Sequence, residues 1–504
     1  MSKEVAREFS LVIRKNSLFM LGQKLITPAL KFLLTVYIVR KLTVEAYGIF
    51  GVLGTIMDYI ILFSAFGLPS IFQRFLPEFT SKNEEGKAKH LINRGLLLSL
   101  AFAIIFISIA FLFSDKLGLL LKIEDYSSYF ILLIPGIIFY HQALLLGSAL
   151  TSMFLHKYYV LAQVVYCTFR CGIIFYFLKI GLDLKGVILG EVIAYGMLFL
   201  FQAYFYSKKF SGQIQIQEKS KIDVKRLVRY GGFSYFNEMG AKILDVTTDL
   251  IIISAFLGPA AAGTYAFAYS IITLFSKAMP HKLFKEVIRP AFFIKFVEDN
   301  NRKKLENMVN MLVKFIAFFY LPIVVGIIIL GDKIIVHIFD PKYLNALSVL
   351  WIVAGFTALN SIQFPLGMVA QAVERPEINF YSKIFSIYNI IANILVINHL
   401  GIVGVAIVTC TAILFKNIFM YRFTQKYISY SIDLKPAGRI LFNAFVMGLL
   451  VYSLKGFVVN LASLMGVVLM GGIFYLMISF INKSFSVKER EIINKILPRP
   501  VFVF

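Results

Sequence analysis

Charge is scarce in this chain: only 16% of its 504 residues are Asp, Glu, Lys or Arg, where soluble proteins average about 25%. A water-facing surface of ordinary extent cannot be assembled from so few. Acids are the scarcer sign, 28 against 51 Lys and Arg. Cysteine occurs three times, and Cys167, Cys171 and Cys410 all fall within apolar runs, which excludes a disulfide framework and a soluble zinc site. Cys167 and Cys171 share a helix face, but two thiols make a poor metal site, and packing is their expected role. P-loop, HExxH and GxSxG patterns are missing, so nucleotide-driven transport and those hydrolytic chemistries have no support, and no metal or cofactor is expected. The charged stretch SKEVAREFSLVIRKNS is not followed by a small-residue cleavage site, so the first apolar run is expected to stay as an anchor.

Apolar sequence fills the space that charge leaves. The chain is 59% hydrophobic with a mean hydropathy of +0.78. Apolar runs of about 20 residues, the length that crosses a hydrocarbon core of about 30 Å, recur throughout. Fourteen spans are expected, from 17–39 and 47–67 through 231–257, 345–371, 379–398 and 401–421 to 439–459 and 461–481. The runs are continuous rather than alternating, and lipid requires backbone groups to be paired within the spanning element, so helices are expected and not a barrel. The fold class is an all-α integral membrane protein.

Positive charge in short loops orients such a chain, because cytoplasmic loops hold the excess of Lys and Arg. With the N-terminus inside, inner segments hold 36 of the 51 bases, outer loops 9, and the spans the remaining 6. Both termini are therefore expected in the cytoplasm, with the protein in the plasma membrane. The net charge of +23 then reflects topology and attraction to anionic lipid, not nucleic acid. The stretches EVAREFSLVI and SVKEREIINKIL read as amphipathic helices on the inner leaflet.

A constant shift of 218 residues places Gly22 on Gly240, Lys24 on Lys242, Tyr47 on Tyr265, and GVILGEVIA (from Gly186) on GVAIVTCTA (from Gly404). Such a repeat implies two parallel six-helix lobes related by an axis along the membrane normal. The expected organisation is an N-lobe over 1–206, a basic cytoplasmic connector over 207–230, a C-lobe over 231–421, two extra helices over 422–481, and a cytoplasmic tail over 482–504.

One stretch breaks the apolar pattern. In FNEMGAKILDVTTDL, Glu238, Lys242, Asp245 and Asp249 fall within about 60° of one another on a continuous helix, a charged stripe in an otherwise apolar span. A charge near the bilayer centre costs about 2.5–3.5 kcal/mol on insertion scales, so such residues face protein or water. Mutual pairing explains part of the stripe, since Glu238 and Asp245 are spaced to reach Lys242, but one lysine does not neutralise three carboxylates. Lys24, Lys31, Arg170 and Lys242 together would suit an anionic substrate in a central cavity, with Asp58, Glu238, Asp245 and Asp249 holding a coupling cation or balancing the bases. Lys314 and Lys416 lie near cytoplasmic ends, where snorkelling is expected, and Glu191 near an outer end. Pro322 and Pro365 are positioned to kink their spans.

The segments AYGIF, FGLPSIFQRFLPEF, DLIIISAFLGPAAAGTYAFAYS, AQAVERPEINFYSKIF and NHLGIVGVAIVT resemble the polysaccharide-export flippases (O-antigen and capsule type), relatives of the multidrug and toxin extrusion exporters and of the bacterial lipid II flippase. The resemblance covers essentially the full chain. It implies a flippase, not an enzyme, that moves a lipid-linked oligosaccharide of the polyprenyl diphosphate type from the inner to the outer leaflet by alternating access. Implied partners are membrane lipids, a coupling proton or sodium ion, and glycan-assembly proteins. Asp249 matches the family's Asp in span seven, Arg74 its Arg closing span two, and the four bases its cationic cavity. Two other functions compete: a multidrug or small-molecule cation antiporter of the same fold, and a membrane glycosyltransferase or polymerase. The first would be expected to have twelve spans and a less basic cavity. The second would need outer loops larger than LGPAAAG and NHLG.

Overall fold

The computed structural model describes residues 26–210, 223–244, 246–280, 302–372, 375, 377–428, 430–432, 435–496 and 502–504. Lys24, Asp245, the core of the basic connector and the EVAREFSLVI stretch lie outside the described residues. Every regular element among the described residues is helical, as lipid demands when each buried N–H and C=O must find a partner inside its own segment. Ten of these helices are long and apolar enough to cross a membrane. Leu98 and Ile105, and Phe442 and Leu449, remain at least half exposed, the faces that lipid covers. This is a multi-pass membrane protein.

The chain divides into two compact units. The first runs up to Lys242 and adds Leu250–Gly263; the second takes Ile243–Asp249 and everything from Thr264 onward. The chain therefore passes from one unit to the other three times rather than once.

In the first unit, α1 (26–41) and α2 (Val44–Ala65) are followed by α3 (Leu68–Ser81), α4 (Glu85–Leu112) and the short α5 (Ser114–Leu121). Then come α6 (Tyr126–Ser152), α7 (His156–Lys179), α8 (Asp183–Phe210) and α9 (Val224–Ile243). Thr43 caps α2, its hydroxyl accepting from the Ala46 N–H at 3.1 Å, which satisfies one donor that the first turn leaves open. Helix α8 packs along both α6 and α7. Phe72, Phe75 and Leu76 of α3 pack with Ile92 of α4 and with Leu145 and Ala149 of α6. Tightest is the approach between α2 and the Pro259–Gly263 segment. A methyl group on Gly48 would fall 1.8 Å from the Pro259 carbonyl oxygen, and one on Gly263 would fall 2.0 Å from that of Val44. Only glycine at both positions lets the two backbones meet, which gives AYGIF and LGPAAAG a shared structural reason.

Helices α10 (Val246–Leu257) and α11 (Pro259–Ala278) cross from unit to unit. The single span expected over 231–257 is thus two helices, α9 and α10, separated by a turn at Leu244. The β-branched run Val246, Thr247 and Thr248 beside the turn is weak helix-forming sequence.

The second unit continues with α12 (Arg302–Ile338), a 3-10 turn (Pro341–Ala346), α13 (Leu347–Asn360), α14 (Gln363–Ala372) and the short α15 (Glu377–Tyr381). A 3-10 turn at Ser382–Ile384 leads into α16 (Phe385–Gln425), followed by α17 (Lys435–Leu454), α18 (Leu461–Asn482) and α19 (Val487–Ile496). The expected span 345–371 is split between α13 and α14. Pro365, in the first turn of α14, has no N–H to return to Ser361, and its ring would clash with that carbonyl in a continuous helix. Pro322 lies inside α12, which continues through it.

Helix α16 contains two expected spans. Gly401 sits inside it at φ 56°, ψ −146°, a backbone conformation open to glycine and closed to residues with a Cβ. Asn389 and Thr409 are 20 residues apart yet hydrogen-bonded at 2.8 Å, whereas a continuous helix would hold them about 30 Å apart. The chain therefore turns back on itself at NHLG, and α16 is a helical hairpin. Its two limbs, 385–400 and 402–425, bring the site described next together.

Candidate functional site

Two buried polar clusters stand out, one in each unit. In the second unit Asp249 is completely buried, in the first turn of α10, where an anion meets the positive end of the helix. The Tyr265 hydroxyl donates to Oδ2 at 2.6 Å and Asn393 Nδ2 to Oδ1 at 3.0 Å. The Thr409 hydroxyl is shared between Oδ1 at 2.9 Å and Oδ2 at 2.8 Å, and Asn389 Nδ2 donates to that hydroxyl oxygen at 2.8 Å. Both amide nitrogens are thereby engaged, but among the described residues no donor meets the buried carbonyl oxygens of Asn389 and Asn393. A buried acceptor without a donor is costly, and these two oxygens are open to a donor or a cation. Carboxylate, amide carbonyl and hydroxyl oxygens are hard ligands, suited to hard cations, and a single carboxylate balances a single positive charge.

In the first unit Arg170 of α7 and Glu191 of α8 form a forked ion pair. Arg170 Nε lies 2.8 Å from each carboxylate oxygen, and Nη2 also donates to Oε1. Glu191, which sequence position places near an outer end, is only 3% exposed. A cavity of about 190 Å³ lined by Gly51, Met57, Tyr195 and the ion pair adjoins it.

The other candidates are distributed as follows. Lys242 Nζ lies 2.6 Å from Asp58 Oδ2, a bond between α9 and α2 across 184 residues. Glu238 accepts from the Ser70 hydroxyl at 2.8 Å. Lys31 is half-buried on α1, and no ion pair to its side chain occurs among the described residues. Arg74 is at the surface of α3, 3.3 Å from Glu78 and 5.5 Å from the Phe75 ring centroid. Lys314 is buried rather than snorkelling, and donates to Glu489 of α19 at 2.8 Å. Thus Lys242 and Asp58 meet, as do Arg170 and Glu191, while Asp249 belongs to a separate cluster.

Asn389, Asn393, Thr409 and Tyr265 were not among the candidates from sequence, yet the 218-residue shift points at two of them. It places Lys31 on Asp249 and Glu191 on Thr409, so the repeat holds a polar position in both copies and changes its chemistry. Tyr265 was already aligned with Tyr47. The two asparagines carry a simpler signal: amides four residues apart in the apolar run NIIANILVIN have to hydrogen-bond to something.

Outside the spans, Glu78 at the end of α3 is the hub of a surface network. Arg226 at the start of α9 donates to it at 3.0 and 3.2 Å, and Lys82 at 3.1 Å. These hydrogen bonds, Arg226 first, hold the Glu78 carboxyl down to about 2. A depressed carboxyl stabilises the fold at pH values above its unfolded value of about 4.5 and loses that contribution as pH falls toward 2. Hydrogen exchange at the start of α9 is therefore expected to be flat from pH 7 to 5, after correction for intrinsic rates, and to accelerate below about 4.5. Glu78→Gln should remove that step, and an unchanged step would show that another group closes this end of α9.

The architecture is that of MurJ- and MATE-type membrane proteins. MurJ, a lipid II flippase in an inward closed conformation, superposes with a TM-score of 0.68 at 19% identity, covering 96% of this chain and 99% of that one. An inward-facing multidrug resistance MATE transporter gives a TM-score of 0.63 at 13% identity over 82% of this chain and 98% of that one. At these identities the likeness is one of fold. The polysaccharide biosynthesis protein family matches residues 13–279, just over half of the chain, and the chain belongs to that family. A probable low-salt glycan biosynthesis flippase of Haloferax volcanii is 22% identical over 244 residues, 48% of this chain and 50% of that protein. A teichuronic acid biosynthesis protein of Bacillus subtilis is 29% identical over 147 residues, 29% of this chain and 28% of that protein. The chain thus spans half or less of the length of these two relatives.

Proposed function

We propose that the protein is a flippase that carries a lipid-linked oligosaccharide of the polyprenyl diphosphate type from the inner to the outer leaflet of the plasma membrane. It makes or breaks no bond in its cargo. Membership of the polysaccharide biosynthesis family carries this proposal, and the glycan flippase name of the Haloferax relative supports it. The Lys and Arg distribution favours cytoplasmic termini. The two lobes expected from the repeat would alternate access to the leaflets, with Lys31 and the neighbouring bases attracting the anionic head of the cargo.

The Asp249 cluster supports coupling to a monovalent cation. Asp249 would supply the charge, while Thr409 and the buried carbonyl oxygens of Asn389 and Asn393 would supply neutral oxygens. Sodium suits such a set, and a proton on Asp249 would use the same charge without the two carbonyls. Reconstitution in vesicles loaded with a fluorescent lipid-linked oligosaccharide tests the function. Wild-type protein is expected to expose the label to an external quencher, faster under an imposed sodium or proton gradient. Absence of exposure, together with gradient-driven extrusion of a small cationic dye, would replace the flippase by a small-molecule antiporter. Release of free sugar or a lengthened glycan would make it an enzyme.

A further inference from the structure

The basic side chains described so far mostly have acids: Arg170 has Glu191, Lys242 has Asp58 and Lys314 has Glu489. Two bases on α16 and the 3-10 turn that leads into it do not. Lys416 is only 5% exposed, Lys383 is half-buried, and no hydrogen bond or ion pair to either ammonium group occurs among the described residues. The Asn389–Thr409 bond fixes the register of the chain on either side of Gly401 and puts Lys383 and Lys416 at about the same level. An isolated buried ammonium is costly, and a second one beside it raises the cost. Snorkelling, which the sequence position of Lys416 suggests, would relieve that cost by carrying the side chain to the surface, whereas Lys416 as a whole is buried. Two like charges held at one level of a protein, with no acid paired to either among the described residues, call for a counter-charge supplied from outside.

Their depth restricts the donor. Lys383, in the 3-10 turn that leads into the first limb, and Lys416, on the second, are 18 and 15 residues from Gly401, or about 25 Å from the turn at the helical rise. That reach spans most of a hydrocarbon core of about 30 Å, so with the NHLG turn at one interface the lysines come close to the headgroup level of the other. We infer that Lys383 and Lys416 form an anion site for a lipid-borne phosphate or diphosphate. Lysine is a point-charge phosphate binder, and a doubly charged group can bridge two ammonium groups that otherwise repel.

The site is linked to the cation cluster along the same hairpin. Lys416 follows Thr409 by seven residues, two turns on one face and about 10 Å along the axis. Ser386, Asn389 and Asn393, all buried, continue from Lys383 at intervals of three or four residues. A buried polar track thus joins an anion site at the interface to a cation site deeper in the same unit. Binding at one end changes the field felt at the other.

Two lipids offer this chemistry: the diphosphate-bearing cargo, on which the proposed function rests, and bulk lipid with an anionic head. The test uses full-length protein in phosphatidylcholine nanodiscs, with farnesyl diphosphate, phosphatidylglycerol and inorganic pyrophosphate as separate probes and farnesol as the control for the tail. Lys416→Met keeps length and burial while removing charge. It is expected to melt at or above the wild-type temperature without probe, and to bind phosphate probes at least about tenfold more weakly. Lys383→Met should weaken binding in the same direction, and Lys416→Arg should retain most of it. Loss confined to farnesyl diphosphate assigns the site to the cargo; loss confined to phosphatidylglycerol assigns it to bulk lipid. Undiminished binding of all probes by Lys416→Met, or no binding by wild type, overturns the site. The vesicle assay separates this from the flippase proposal: translocation with lysine-independent binding sinks only the site, whereas lysine-dependent binding without translocation sinks only the flippase.

Discussion

Asp249→Asn protein, reconstituted at wild-type levels, is expected to lose at least about tenfold in gradient-driven translocation while remaining folded. The substitution keeps the size of the side chain and removes its charge. It also turns one acceptor into a donor in a cluster where Tyr265, Thr409 and Asn393 already donate. Donor would then face donor, and a cation would meet only neutral oxygens. Melting temperature in choline and in sodium buffers checks this independently of transport. A cation that binds the folded state at 100 times its dissociation constant stabilises it by about 2.7 kcal/mol, and the variant should lose that increment. Without sodium the variant's stability should stay within about 3 kcal/mol of wild type, since relief of a buried charge is set against the donors left unsatisfied around it. Equal translocation together with an intact sodium increment would remove Asp249 from the coupling site.

The second large effect is expected in the first unit. Glu191→Ala strands the Arg170 guanidinium inside the protein, and removing one member of a buried ion pair costs about 3–5 kcal/mol. The lower end of that range is expected, because the cavity of about 190 Å³ beside the pair has room for water to solvate the stranded charge in part. Replacing both residues by methionine removes the charge altogether and should return stability to within about 1 kcal/mol of wild type. Denaturation midpoints of the two single variants and the double variant form a cycle whose coupling energy reports the pair. Single variants within about 1 kcal/mol of wild type would mean that Arg170 is solvated from the cavity and free to meet an anion there. The four-base cavity expected from sequence would then regain Arg170.

Much of the architecture is legible in the sequence because the bilayer allows so few solutions. Continuous apolar runs of sufficient length have to be helices, and NHLG and Pro365 mark breaks that the structure realises. The charged stripe is less legible, because periodicity assumes one uninterrupted helix and the chain breaks at Leu244. That break separates Glu238 and Lys242 on α9 from Asp249 on α10, so the carboxylates answer to different neighbours. The Lys242 to Asp58 bond joins residues 184 positions apart, a distance at which helical spacing says nothing. Burial of Lys416 and Glu191 is equally invisible to hydropathy, which scores a base or acid near a span end as exposed. The 218-residue shift expected from sequence aligns Glu191 with Thr409. What it could not supply is the change of chemistry between the copies, an ion pair in one and a carboxylate among neutral oxygens in the other.

The interleaving of the two units bears on how the chain is made. Leu250–Gly263 belongs to the first unit, and its glycine face is what Gly48 of α2 meets. During synthesis the first unit therefore stays incomplete after helices α1 to α9 have emerged, and it closes only when the chain has already given Ile243–Asp249 to the second unit. A cut in the connector at 211–222 would leave an amino-terminal fragment with an open seam along α2, and a carboxyl-terminal fragment carrying the piece that fills it. Each unit thus holds a strip of chain bordered in sequence on both sides by the other's.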